Sequence, residues 1–138
     1  MANKNPHVKE VMDRLLDRVM VADPVDDIKQ RLRKFVSERN WQQFNSPKNL
    51  SMALIAEAAE LVEHFQWLTE EQSTQLDKDQ LNAVSHEMAD VFIYLVRLAD
   101  ELNIDLLKAT NEKMLINNKK YPVEKVKGSA NKYTYYEK

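Results

Sequence analysis

Apolar residues recur at helical spacing along most of this chain, and few segments alternate as strands do. Val8, Val11, Met12, Leu15, Leu16 and Val19 form a stripe at i, i+3, i+4 spacing, which predicts a first helix over about residues 7–20. Asp23-Pro24 reads as an N-cap followed by proline at the first helical position, with Asp26 and Asp27 in the first turn. That second helix is predicted to reach about Trp41. Asn45-Ser46-Pro47 marks a break and a restart, and a third helix runs to about Trp67. The polar stretch 69–76 reads as a loop. Asp77 with Gln80 resembles a capping box opening a fourth helix over about 78–102. After the turn 103–105, a fifth helix runs to about Lys120, where Tyr121-Pro122 ends it. From about 121 the chain reads as a polar tail bearing lysine and tyrosine.

The third and fourth helices are apolar nearly all round. Residues 49–62 include Leu50, Met52, Leu54, Ile55, Leu61 and Val62, and residues 88–99 are broken only by Asp90, Tyr94 and Arg97. Helices without a polar face are buried on most sides. A five-helix monomer has too little chain to cover both. The expected fold is therefore all-α, a bundle of about five helices completed by oligomerisation, with residues 1–23 as an N-terminal extension to a domain over 24–138.

Composition adds exclusions. The chain has 138 residues, enough for one domain with a real core. It has no cysteine, so disulfides, thiolate nucleophiles and cysteine-based zinc sites are excluded. No apolar run reaches transmembrane length and no leader-like apolar stretch opens the chain, so a cytoplasmic protein without a membrane partner is expected. Residues 1–107 carry 12 Lys and Arg against 19 Asp and Glu, a balance of −7, and residues 108–138 carry eight Lys against three Glu, a balance of +5. The basic end is either a solvated tail or a segment facing phosphate. An acidic body with a pI near 5.9 argues against nucleic acid as a partner. The single glycine, Gly128, excludes the glycine-rich loops that cradle phosphates, so any phosphate must be held by metal ions and side chains.

Against that background, two pairs of acids stand out. Glu57 and Glu60 lie in the apolar third helix, and Glu87 and Asp90 in the apolar fourth. Each pair is spaced i, i+3 and shares one helix face. Like charges at that spacing repel, and burying an ionised carboxylate without a partner is expensive. The alternative is that these acids point to solvent. Two pairs in otherwise apolar helix favour a cation held between the helices, with Glu63 either joining it or forming an outer ion pair. No Glu is followed by His at i+3, which argues against a di-iron carboxylate bundle. An all-carboxylate set suits Mg²⁺ or Mn²⁺, whose remaining coordination normally comes from water and substrate phosphates. The site therefore points to a nucleotide or another polyphosphate.

Trp41, Phe44 and Trp67 flank the third helix, and Tyr94 lies one turn beyond Asp90 on the same face. They are either ordinary core or plates on which a base stacks. Lys113, Asn117 and Lys120 repeat at i, i+4, i+7 on the fifth helix, either as a solvated face or as donors to phosphate oxygens and a sugar or base edge.

These residues resemble a known family. The runs Glu38-Arg39-Asn40-Trp41-Gln42-Gln43-Phe44, Ser46-Pro47-Lys48-Asn49-Leu50, Glu57-Ala58-Ala59-Glu60-Leu61 and Phe65-Gln66-Trp67 look like the MazG-like nucleotide pyrophosphohydrolases, in particular their dCTP pyrophosphatase branch. Glu87-Met88-Ala89-Asp90-Val91 with Tyr94, then Lys113-Met114, Asn117 and Lys120-Tyr121-Pro122, continue the pattern. The signature is E-x-x-E, a spacer, then E-x-x-D; the spacer here is residues 61–86. The resemblance spans roughly residues 25–135. It implies an all-α, magnesium-dependent enzyme that splits a nucleoside triphosphate into monophosphate and pyrophosphate, assembled as a homodimer or homotetramer. A dCTP-like pyrimidine substrate and a house-cleaning role follow by analogy. By matching position it makes Glu57, Glu60, Glu87 and Asp90 metal ligands, with Glu57 or Glu60 as the base. Trp41, Trp67, Tyr94, Lys113 and Asn117 become nucleotide contacts, to which Phe44 and Lys120 are added by their positions. Asn45 departs from the pattern, where relatives often carry histidine. The readings that compete are a related pyrophosphohydrolase for dUTP or phosphoribosyl-ATP, and a non-catalytic helical interaction module.

Overall fold

A computed structural model describes residues 24–135, and within them the fold is all-α, as expected, with six α-helices and no strand. The predicted helix over residues 7–20, and the extension it belongs to, lie outside the described residues. In chain order the elements are α1 (Pro24–Glu38), a 3₁₀ turn (Gln42–Phe44), α2 (Pro47–Glu63), α3 (Glu70–Ser73), α4 (Lys78–Glu101), α5 (Leu106–Lys120), α6 (Val123–Val126) and a second 3₁₀ turn (Tyr133–Tyr135).

The chain divides into two compact units, the first running to Leu98 and the second beginning at Ala99. In the first unit, Val36 of α1, Leu50 of α2, and Val84 and Val96 of α4 are the buried apolar positions, and Arg97 is buried with them. Among the described residues α2 and α4 are not enclosed on most sides. Met52, Ile55 and Val62 on α2, and Met88, Phe92 and Leu95 on α4, are all exposed. Two helices apolar all round need neighbours on every side, and the described residues supply too few.

Helix starts follow the sequence. Ser46 caps α2, its side chain accepting from the Asn49 backbone N–H, with Pro47 at the first helical position. Asp77 and Gln80 form a reciprocal capping box before α4. In the second unit Asp105 caps α5 through the Lys108 N–H.

Three boundaries differ from those predicted. α1 stops at Glu38 rather than near Trp41, because Asn40 takes a left-handed backbone (φ 53°). The Trp41 N–H returns to the Val36 carbonyl at 3.0 Å and the Asn40 N–H to the Ser37 carbonyl at 3.0 Å, the paired bonds of a Schellman ending. α2 stops at Glu63, not Trp67, after which the Phe65 and Gln66 N–H groups both close on the Val62 carbonyl. The stretch expected to be loop holds α3, a single turn with its own capping box between Thr69 and Gln72. The basic tail likewise contains the one-turn α6 and the second 3₁₀ turn.

Candidate functional site

One helical turn separates Glu87 from Asp90, so α4 presents both carboxylates on one face. Glu57 of α2 meets them there. Carboxylate oxygens of Glu57, Glu87 and Asp90 all lie within 4.8 Å of one another, and all three residues are half-buried. This is the geometry of a small cage of hard oxygen donors, and its chemistry fits a divalent cation that prefers oxygen over nitrogen or sulfur. Burial, and then the carboxylates of Glu60, Asp90 and Glu87, push Glu57 above its ordinary carboxylate value. The site thus carries concentrated negative charge, which a bound cation relieves.

Glu60 lies outside this three-residue group and is exposed, although its charge is felt at Glu57. Glu63 is exposed as well. The four-acid set read from the sequence is therefore a cluster of three with Glu60 beside it.

Asp90 also opens onto the second feature of the first unit, a cavity of about 1030 Å³ between α1, the 3₁₀ turn, α2 and α4. Trp41, Phe44 and Tyr94, three of the aromatic residues singled out from the sequence, line it. Its other walls are mainly apolar, with Leu32, Phe35, Leu50 and Ile93 among them, and the polar exceptions include Asn45, Asn49 and Arg97. A mostly apolar cleft with a few convergent polar groups is the usual form of a small-molecule site. Trp41 packs against another residue of the cavity wall. Its ring meets Phe35 edge-on at 6.0 Å, and the Arg39 guanidinium covers the Phe35 ring at 3.6 Å.

Trp67 does not line this cavity and is 86% exposed. Lys113, Asn117 and Lys120 lie along α5 in the second unit, all exposed. Arg97, Asn45 and Asn49 are polar cavity residues that the sequence did not mark as ligand contacts. Arg97 carried a signal, being the only basic residue in the apolar stretch 88–99, where a cation is costly to bury without a partner.

Fold and site together define a class: an all-α protein that sets a cluster of three carboxylates able to hold a cation beside an aromatic-lined cleft. Comparison with known proteins places it more closely. Residues 53–135 match the MazG-like family. Over 112 residues the chain is 42% identical to dCTP pyrophosphatase 1 of Mus musculus and 41% identical to that of Homo sapiens. These alignments cover 80% of this chain and 66% of each relative. The fold matches that of a pyrophosphatase from Archaeoglobus fulgidus with a TM-score of 0.64 and 31% identity, covering 88% of this chain and 98% of that one. The chain belongs to the MazG-like family. Among its described residues no helix is long and apolar enough to cross a membrane.

Proposed function

We propose that this protein is a magnesium-dependent nucleoside triphosphate pyrophosphohydrolase that prefers dCTP-like pyrimidine nucleotides and acts in house-cleaning of the nucleotide pool. The observation that carries this reading is the Glu57–Glu87–Asp90 cage with Asp90 shared between cage and cleft. The relatives named dCTP pyrophosphatase 1 support the substrate class.

Glu57, Glu87 and Asp90 would hold the cation. When bound, Mg²⁺, or Mn²⁺ in its place, would supply neutralisation of triphosphate charge and Lewis-acid polarisation of a water. Trp41, Phe44 and Tyr94 enclose the base, so the aromatic cleft fixes one end of the nucleotide while a cation on Asp90 and its neighbours would fix the triphosphate end. Glu60, close enough to act on Glu57 yet outside the cage, takes the proton of the attacking water; Glu57 is the other candidate for that role. The water oxygen bonds to the α-phosphorus, the bond to the α–β bridging oxygen breaks, and pyrophosphate leaves with that electron pair. Lys113, Asn117 and Lys120 donate to phosphate oxygens in this reading, and Trp67 adds an aromatic contact. A homodimer or homotetramer covers the exposed apolar surface of α2 and α4.

Calorimetry with Mg²⁺ and a pyrophosphate-release assay on the same preparations test the cage. Glu57→Ala, Glu87→Ala and Asp90→Ala are each expected to lose Mg²⁺ binding and to lower turnover by at least about 100-fold, the scale of losing a metal-held transition-state contact. Circular dichroism should remain helical. Turnover that survives all three substitutions would remove the metal cage from the reaction.

A further inference from the structure

The run Glu38-Arg39-Asn40-Trp41 brings Trp41 to the cleft, while Arg39, two residues earlier, is not among the residues that line it. Arg39 is nonetheless engaged three times. Its guanidinium carbon lies 3.6 Å from the Phe35 ring centroid, its Nη1 donates to the Phe35 carbonyl at 3.0 Å, and the same nitrogen lies 3.8 Å from the Glu38 carboxylate. Two of the three contacts fall on Phe35, one on its ring and one on its backbone. A guanidinium suits both at once, because its flat face stacks on an aromatic ring while its N–H fork donates elsewhere. Phe35 is in turn the ring that Trp41 meets, at 6.0 Å and 74°. The Trp41 backbone is already fixed: its N–H donates to the Val36 carbonyl at 3.0 Å, and its carbonyl accepts from the Phe44 N–H at 2.9 Å and from Asn45 Nδ2 at 2.7 Å. What those bonds leave open is the pair of side-chain torsions that aim the indole. Trp41 is 46% exposed, so enclosure alone does not set them.

We infer that Arg39 is a positioning residue: by gripping the ring and the backbone of Phe35 it sets the orientation of the Trp41 indole in the cleft wall, without touching the ligand itself. An indole aimed before the nucleotide arrives loses little freedom on binding, whereas one left to rotate must be ordered at that moment. The cost falls on binding rather than on chemistry, because Trp41 stands outside the carboxylate cluster. Removing such an aid raises KM and leaves kcat in place. The competing role is that of a cation just past the end of α1, favourable beside the last carbonyls and of no consequence for the cleft. The effect on nucleotide binding rests on the cleft being the nucleotide site of the proposed reaction; the effect on the indole does not.

Three measurements on the full chain test it: ¹H–¹⁵N spectra of the indole Nε1–H groups, calorimetry with dCMP, and the kinetics of pyrophosphate release from dCTP with Mg²⁺. The Trp41 resonance is identified by its absence from Trp41→Phe. The unaltered protein should show it as one sharp signal, and Arg39→Leu should broaden or split it. The same variant should bind dCMP more weakly by roughly two- to tenfold, the scale of ordering one side chain on binding, with KM for dCTP raised to match and kcat held. Arg39→Lys keeps the charge but loses the planar fork, and should fall between the two. A variant that melts at a lower temperature yet keeps a sharp Trp41 signal and full dCMP affinity overturns the inference and leaves Arg39 as a helix-end contact. A broadened signal with undiminished affinity overturns it too. If Arg39→Leu fails to melt cooperatively, Arg39→Lys decides alone. An unaltered protein that binds no dCMP and releases no pyrophosphate refutes the hydrolase reading, and the Trp41 signal then decides by itself whether Arg39 orients the ring.

Discussion

Glu57 concentrates the chemistry of this molecule at the residue scale. Its carboxyl is pushed above the ordinary value first by burial and then by three neighbouring acids, so the fold without metal penalises its ionised form. The stability consequence has a definite sign. Below the unfolded value of about 4.5 the group is protonated in both states and imposes no penalty. As pH rises through the elevated folded value, stability is lost, and above it the loss is complete. Glu57→Gln should therefore melt at a higher temperature than the unaltered protein at pH 7.5 in EDTA, by a few degrees, and the difference should vanish near pH 4. Adding Mg²⁺ should reverse the order, because a ligand bound only by the native state stabilises it and the variant has lost a ligand atom. A lower melting temperature for the variant in EDTA would show that the acid cluster is not under electrostatic strain. The i, i+3 spacing of the acids was legible from the sequence because a helix projects it onto one face. Which three acids would converge was not, since that depends on how α2 and α4 pack.

Element boundaries divide into legible starts and obscure ends. Ser46-Pro47, Asp77 with Gln80, and Asp105 all cap helices as their side chains predict, because an N-cap needs a specific oxygen at a specific place. C-terminal ends depend more on backbone conformation. Asn40 was the available signal for the end of α1, since asparagine tolerates the left-handed region better than most residues, and Asn103 repeats the device after α4 with φ 53°. At Asn40 the apolar Trp41 that follows masked it by continuing the helical stripe. No such residue marks the end of α2, where Phe65 and Trp67 extend the apolar pattern past Glu63 while the chain has already tightened into turns. α3 shows the converse failure. Thr69 and Gln72 carry a capping-box signature, but residues 69–76 offer almost no apolar positions, and periodicity alone reads such a stretch as loop.

For the whole molecule, the mismatch between sequence hydrophobicity and burial is the informative feature. α2 and α4 read as helices enclosed on most sides, yet Ile55 is 69% exposed and Met88 57% exposed. Exposed apolar helix surface of this extent among the described residues favours an interaction site, and a second copy is the simplest partner for a helical bundle. Sedimentation should accordingly give a dimer or tetramer, and Ile55→Glu should shift it toward monomer; a monomeric unaltered protein at micromolar concentration would contradict this. The all-α class was legible from helical periodicity, and the MazG-like membership from the resemblance of the runs around Trp41, Glu57 to Glu60 and Glu87 to Asp90 to that family. ³¹P NMR of dCTP with Mg²⁺ tests most directly whether the site breaks the α–β phosphoanhydride bond. The predicted result is the paired growth of dCMP and pyrophosphate resonances, with none of either in EDTA. Formation of dCDP with orthophosphate, or intact dCTP in the presence of Mg²⁺, would contradict it.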